Sequence, residues 1–365
     1  MRKFACLVLA AVGALPFFVR TSAQEPPKAE APALFNTYDE LFDSFEKRRQ
    51  VLVTRLERLQ EKERVEPAEL QAVESELRAL DREYTAALRA YIAAKPAASD
   101  VMPARFELAV ALSRLDENLD EAVKAADDFM ANHGNAELAA DMRFLRAQTL
   151  FRMEGREQDA LQAFEQFIEK HPEREDADAA RMMRVRTLLF LDRVEDAKRS
   201  LKMLLDTDRV KKDSDAVEFL QRQLANLDWV GRELPAFAAV DTAGQAAAGG
   251  DFAGKPLLLF VWDSTSGACL GELPYVQEAA RRHEGRVAVL GIGVNESKAG
   301  FEQFLAKGEV KFRNVWIDRE QENSLVKKLN VSLIPFNVLV DAAGKVYRYD
   351  VRSDDLLRYA ARLNR

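Results

Sequence analysis

From Tyr38 onward apolar residues recur at helical spacing: Tyr38, Leu41, Phe45, Leu52, Leu56 and Leu59, then Leu70, Val73, Leu77, Leu80, Tyr84, Leu88 and Tyr91. Each series draws a stripe along one face of a helix. Pro67 suits the first turn of the second helix, where its missing N–H costs nothing. With a polar turn at Glu61 to Glu66 between them, residues 37–95 read as a helical hairpin. Two readings of its apolar stripe are open, a coiled-coil dimer or packing onto the rest of the domain. Adjacent runs that can cover each other favour the second. Lys95-Pro96-Ala97-Ala98-Ser99 closes this section.

The next hundred residues repeat themselves. NLDEAVKAADDFM (118–130), GREQDALQAFEQFI (155–168) and DRVEDAKRSLKMLL (192–205) align on Ala122, Ala160 and Ala197, which are 38 and 37 residues apart. Each follows an apolar helical stretch (Leu108 to Leu115, Leu145 to Met153, Met183 to Leu191) and a short turn. Helix pairs at this period resemble tetratricopeptide-type repeats, whose consensus is about 34 residues. A lone pair cannot bury its apolar face, so the units should stack. Such a stack either binds a partner in a groove or acts as a spacer, and the fold does not decide which. Ala216 to Trp229 reads as one more helix, which sets the helical region at 104–229.

Beyond Val230 the pattern changes. Apolar strand candidates (Leu257–Trp262, Val287–Val294, Asn314–Ile317, Asn337–Val340, Lys345–Tyr349) alternate with helical segments (Leu270–Arg282, Lys298–Leu305, Gln321–Leu329, Asp354–Leu363). That alternation predicts a sheet layered by helices over residues 230–365. The expected fold class is therefore an all-α tetratricopeptide-like repeat region followed by an α/β domain.

Composition adds a compartment. Met1-Arg2-Lys3, an uncharged run of 16 residues from Phe4 to Val19, and Thr21-Ser22-Ala23 have the order of a secretory leader over 1–23. The run falls short of the roughly 20 residues that span a bilayer. An uncleaved anchor is the alternative, and only then is a membrane a partner. Gln24 to Asn36, rich in Pro, Ala and Glu, reads as a linker. The whole chain carries a net charge of −7; loss of the leader removes Arg2, Lys3 and Arg20 and no acid, leaving −10. A chain so acidic, with no basic block, is not expected to bind nucleic acid. Cleavage also removes Cys6 and leaves Cys269 as the single cysteine.

Cys269 lies where chemistry is expected. The run PLLLFVW ends in the small polar turn Asp263-Ser264-Thr265-Ser266-Gly267-Ala268, and a helical pattern begins at Cys269. A thiol in the first turn of a helix meets unpaired N–H groups and the positive end of the dipole. FVWDSTSGACLGELP resembles the active-site segment of the TlpA-like envelope thioredoxins, roughly F-W-A-T-W-C-x-x-C-x-x-E-x-P. Anchored on Glu272 and Pro274, Trp262 falls on the family tryptophan, Cys269 on the second cysteine and Ser266 on the first. Gly231, Pro235, Phe237, Asp241 and Gly244 match the family's lead-in. LNVSLIPFNVLVDAAGKV matches the segment that places Pro335 on its cis-proline, after Ile334. The resemblance thus covers residues 230–365 and implies a thioredoxin-like domain. It makes Trp262, Ile334 and Pro335 the substrate-binding face, and Cys269, Ser266 and Glu272 the catalytic candidates.

The motif is Ser-x-x-Cys, so the two-sulfur chemistry of the family is broken. One thiolate attacks and a second resolves the mixed disulfide, and a serine hydroxyl does neither. Phe260 occupies the place where thioredoxin keeps a buried acid, and Glu272 reads as a helix-surface glutamate. The expectation is an exported protein that has lost this activity and acts in binding or assembly, with a protein partner on the repeats or the cis-proline face. The alternative is a single-thiol redox protein. Peroxiredoxins carry Thr or Ser three residues before their cysteine, as Ser266 stands to Cys269, and a helix start would lower the thiol pKa. Trp262 stands where those proteins have proline. His133, His171 and His283 are scattered, and GIG at 291–293 lacks the remaining spacing for a dinucleotide, so neither a metal nor a cofactor is expected.

Overall fold

The computed structural model describes residues 35–60, 67–241, 244–318 and 324–363. The expected leader at 1–23, Cys6, most of the linker and the turn Glu61 to Glu66 lie outside the described residues. The chain divides into two compact units, one ending at Leu204 and the other Leu205–Arg365.

In the first unit, α1 (Tyr38–Gln60) and α2 (Pro67–Ala94) form the hairpin. Its far half covers itself, with Leu56, Leu59, Val73 and Leu77 in one cluster. Its near half packs Tyr38, Leu41, Phe45, Tyr84, Leu88 and Tyr91 against Ala104 and Ala111 of α3 (Val101–Ser113). The apolar stripe is thus buried within the chain. Asp100 fastens this corner: its carboxylate accepts from Tyr38 N–H at 2.9 Å and from the Tyr91 hydroxyl at 2.8 Å.

Three helix pairs follow: α3 with α4 (Leu119–His133), α5 (Ala139–Arg152) with α6 (Glu157–Lys170), and α7 (Ala177–Phe190) with α8 (Val194–Leu205). Ala122, Ala160 and Ala197 are buried, as small residues at a close helix approach should be. The repeat extends to polar contacts. Arg146 donates to Asp127 at 2.6 Å and Arg184 to Glu165 at 3.0 Å. Arg143 reaches the Gly134 carbonyl and Arg181 the Pro172 carbonyl, at 3.0 and 3.1 Å. Phe129 meets His133, and Phe167 meets His171, at the same ring separation of 5.2 Å. All these pairs recur after 38 residues.

The second unit holds a five-stranded sheet of β3 (Leu257–Trp262), β4 (Ala288–Gly293), β5 (Arg313–Trp316), β6 (Phe336–Val340) and β7 (Val346–Tyr349), ordered β5-β4-β3-β6-β7. The strands β3, β4 and β5 are parallel, β6 runs against β3, and β7 runs against β6. Helices α11 (Gly267–Arg282), α12 (Lys298–Leu305), α13 (Leu325–Lys328) and α14 (Ser353–Arg362) complete it. This is an α/β sheet layered by helices, as the alternation of strands and helices and the thioredoxin resemblance imply. Sequence periodicity missed a short ribbon, β1 (Ala238–Val240) with β2 (Ala246–Ala248), which joins β5 through an Asp241–Val315 bridge. A short helix, α9 (Asp208–Lys211), and a longer one, α10 (Ser214–Leu227), lie in this unit, with Leu220 and Leu227 buried; the sequence reading groups the second with the repeats. Gly231 at φ 84° and Gly344 at φ 81° occupy left-handed backbone where the lead-in segment pairs with β7.

Candidate functional site

Every residue of β3 is buried, as befits a strand flanked on both edges and covered on both faces. Its C-terminal end delivers the motif turn. Asp263 Oδ1 accepts from Thr265 N–H, the Thr265 hydroxyl and Asn295 Nδ2, each at 2.7 Å. Asn295 also accepts from Ser264 N–H at 3.2 Å and donates to the Ser264 hydroxyl at 2.9 Å, while its carbonyl takes Trp316 Nε1 at 2.9 Å. Asn295, which the sequence reading did not single out, therefore latches the turn from the end of β4. Its only signal in sequence is a polar residue closing an apolar strand.

Ser266 is the N-cap of α11, with extended backbone and a hydroxyl that accepts from Cys269 N–H at 3.4 Å. Serine is well suited to this task and satisfies one of the helix's orphan donors. Ser266 and Cys269 are thus brought together. Cys269 is fully buried, and its sulfur accepts from Asp263 N–H at 3.5 Å. Burial pushes the thiol pKa up, against smaller opposing effects from Ser266 and the Asp263 N–H. The thiolate-favouring helix start expected from sequence is outweighed by loss of solvent.

Glu272 departs from its expected place on the helix surface. It is 6% exposed, and its carboxylate accepts from Ser353 N–H at 2.5 Å and from the Ser353 hydroxyl at 3.3 Å. Burial raises its pKa, while the Ser353 N–H and Arg352 pull it down. It caps α14, whose own N-cap residue, Arg352, makes no side-chain cap.

Trp262 also departs from its expected role on a substrate-binding surface. Its side chain is fully enclosed, edge-on to Phe301 at 5.2 Å and to Phe304 at 5.8 Å, and Nε1 donates to Asn314 at 3.1 Å. Trp262 is a core residue here. Phe260, equally buried, stacks on it at 5.9 Å, so no acid stands behind the motif on this strand. The two glycines of GIG serve this packing: a Cβ on Gly293 would meet the Phe301 ring at 2.3 Å.

The Ile334–Pro335 peptide bond is cis. Since Val261 pairs with Phe336, Pro335 lies at the end of the sheet where Trp262 leads into the motif turn. Pro335 is buried and Ile334 is half-buried against the sheet core. Leu333, not picked out from sequence, is 57% exposed beside them. His133 and His171 belong to the repeats, and His283 closes α11.

A family model described as Redoxin matches residues 229–359. Among solved structures, the chain is similar to the thioredoxin domain of a thiol-disulfide oxidoreductase from Bacteroides vulgatus (20% identity, 37% of this chain and 98% of that one, TM-score 0.35). It is also similar to a putative thiol:disulfide interchange protein DsbE from Chlorobium tepidum (21%, 37% and 96%, TM-score 0.34). A third is the exposed lipoprotein thioredoxin of Streptococcus pneumoniae (21%, 35% and 99%, TM-score 0.32). No curated protein matches. The C-terminal α/β domain is thioredoxin-like, and a helical region precedes it.

Proposed function

We propose that this chain is an exported thioredoxin-fold protein which has given up dithiol–disulfide exchange and acts in binding or assembly in the cell envelope. The observation that carries the reading is Ser266. It stands at the first motif position as a helix cap, and the one thiol of the matched domain is fully buried behind it. Exchange needs an accessible thiolate to attack and a second sulfur to resolve. Neither requirement is met, and Phe260 supplies no proton relay. A peroxidase-like use of Cys269 needs an ionised, reachable thiol; burial works against both conditions. Export is supported by the basic start and apolar run before Thr21. The partner is a protein, met on the helical repeats or on the cis-proline face that carries Leu333.

The test is Ser266→Cys. Wild type should not catalyse insulin reduction by dithiothreitol. In the variant, oxidised glutathione should accept two electrons and two protons from the new thiol and Cys269, leaving an internal disulfide and a mass lower by about two units. Absence of that disulfide would show that the turn is misread. Insulin reduction by wild type, or rapid peroxide oxidation of Cys269, would replace this reading with single-thiol chemistry.

A further inference from the structure

We infer that Glu272 and Ser353 form a clasp that holds the last helix closed over the motif helix and keeps Cys269 from solvent. Glu272 lies three residues after Cys269, so both project from the same face of α11. Ser353 begins α14, and both its backbone N–H and its hydroxyl are spent on the Glu272 carboxylate. Helix α14 packs along α11, and Arg352, one residue before Ser353, stands at the start of that contact. The segment from Arg352 to Ser353 is therefore held against α11 one turn past the residue that carries the sulfur.

The link into α14 is held rather than relaxed. Asp350 at φ 55° and Ser353 at φ 50° both sit in left-handed backbone, which non-glycine residues keep only where surrounding contacts impose it. Contacts come from two sides. From β6, the Asn337 carbonyl accepts from Asp350 N–H at 2.8 Å, and its side chain accepts from Val351 N–H at 3.0 Å. From α11 there is Glu272. Releasing the Glu272 side removes the cap of α14 and lets the link leave its left-handed geometry. The Asn337 side keeps the strand end in place. Leu356, Tyr359 and Ala360 make the apolar face that re-docks the helix. Such an element opens as a unit without unfolding the sheet.

The experiment is alkylation of Cys269 in the full chain with N-ethylmaleimide under native conditions, read at the Cys269 peptide by mass spectrometry so that Cys6 does not contribute. Glu272→Ala should label on the order of tenfold faster than wild type or more, since it removes both bonds of the clasp. Glu272→Gln, which keeps an acceptor for the Ser353 N–H, should stay within about threefold of wild type. Val315→Ala, a core truncation on β5 at the opposite sheet edge, lowers domain stability without touching the clasp and should leave labelling near the wild-type rate. Labelling of Glu272→Ala at the wild-type rate, or equal acceleration by Val315→Ala, overturns the inference. If Glu272→Ala does not fold, wild type decides alone. Cys269 labelling and Ser353 amide exchange should then share a shallow urea dependence, and the full slope of global unfolding for Cys269 overturns the clasp.

Discussion

Alanine at Gly291 tests what the glycines of β4 are for. A Cβ built there would lie 1.9 Å from Asn314 Oδ1 and 2.9 Å from the Phe312 ring. That oxygen is the acceptor for Trp262 Nε1, and the Asn314 amide is tied to the Phe312 carbonyl at 2.8 Å. The methyl must displace Asn314 and leave the indole N–H of a fully buried tryptophan unpaired, which costs about 1–3 kcal/mol. Overpacking of the strand against Phe312 adds about 1–3 kcal/mol. The expected loss for Gly291→Ala is thus about 2–6 kcal/mol. Gly271→Ala is the contrast: helical, exposed and with nothing within 4 Å of the new methyl, it should stabilise by about 0.5–1 kcal/mol. The assay is urea unfolding followed by tryptophan emission. All three tryptophans, Trp229, Trp262 and Trp316, lie in the C-terminal unit, so the signal follows that unit alone. A cycle with Asn314→Ala sharpens it, because removing the obstructing amide should lower the cost of Gly291→Ala by at least about 1 kcal/mol. A Gly291→Ala midpoint matching wild type, or strict additivity in the cycle, would refute the reasoning.

Asp100→Ala should destabilise the helical unit by about 1–3 kcal/mol by far-UV circular dichroism in urea, since it uncaps α1 and frees the Tyr91 hydroxyl. The Tyr38 N–H and Tyr91 hydroxyl hold the Asp100 carboxyl below its ordinary 3.8, so its stabilisation should be complete above that pH and fade as pH falls through the depressed value. Glu74 behaves in the opposite sense: buried with neither oxygen hydrogen-bonded, it is pushed from 4.5 up to about 7. Wild type should therefore lose about 3 kcal/mol relative to Glu74→Gln as pH rises from 4.5 to about 7, and a pH-independent difference would count against it. Arg146→Ala, at a half-exposed ion pair, should shift the helical transition by no more than about 1 kcal/mol, and a larger loss would mean that the recurrent pairs hold the stack.

The helical region was legible because a helix writes its contacts locally. Stripes at three and four residues gave α1 and α2, and the spacing of Ala122, Ala160 and Ala197 gave the stack. The recurrent pairs, Arg146–Asp127 and Arg184–Glu165, were not read, because one charge pair among many acids and bases has no signature until the repeat is superposed. The sheet was legible as strands but not as faces. The strand β3 is buried on both sides, so its sequence shows no alternation to tell which side chains reach a surface. Family likeness alone put Trp262 at a substrate face; the fold encloses it with Phe301 and Phe304, from a helix about forty positions on.

The motif itself divides along the same line. The resemblance placed Ser266 on the first motif position from four consecutive residues, and the structure adds that it caps the helix. The state of Cys269 was not legible in those residues. Spacing argued for a lowered thiol pKa, yet the outcome depends on a competition between a local dipole and removal of solvent, and the dipole contributes only within the first turn. The packing around the motif helix is not local: Glu272, one turn past Cys269, takes its hydrogen bond from Ser353, 81 residues on. Glu272 shows the same dependence. On a bare helix it would be a surface carboxylate, and it becomes a buried cap only because α14 begins with no cap of its own. The Ser-x-x-Cys turn is thus written in four consecutive residues, while the burial of its thiol depends on how the rest of the domain packs around α11.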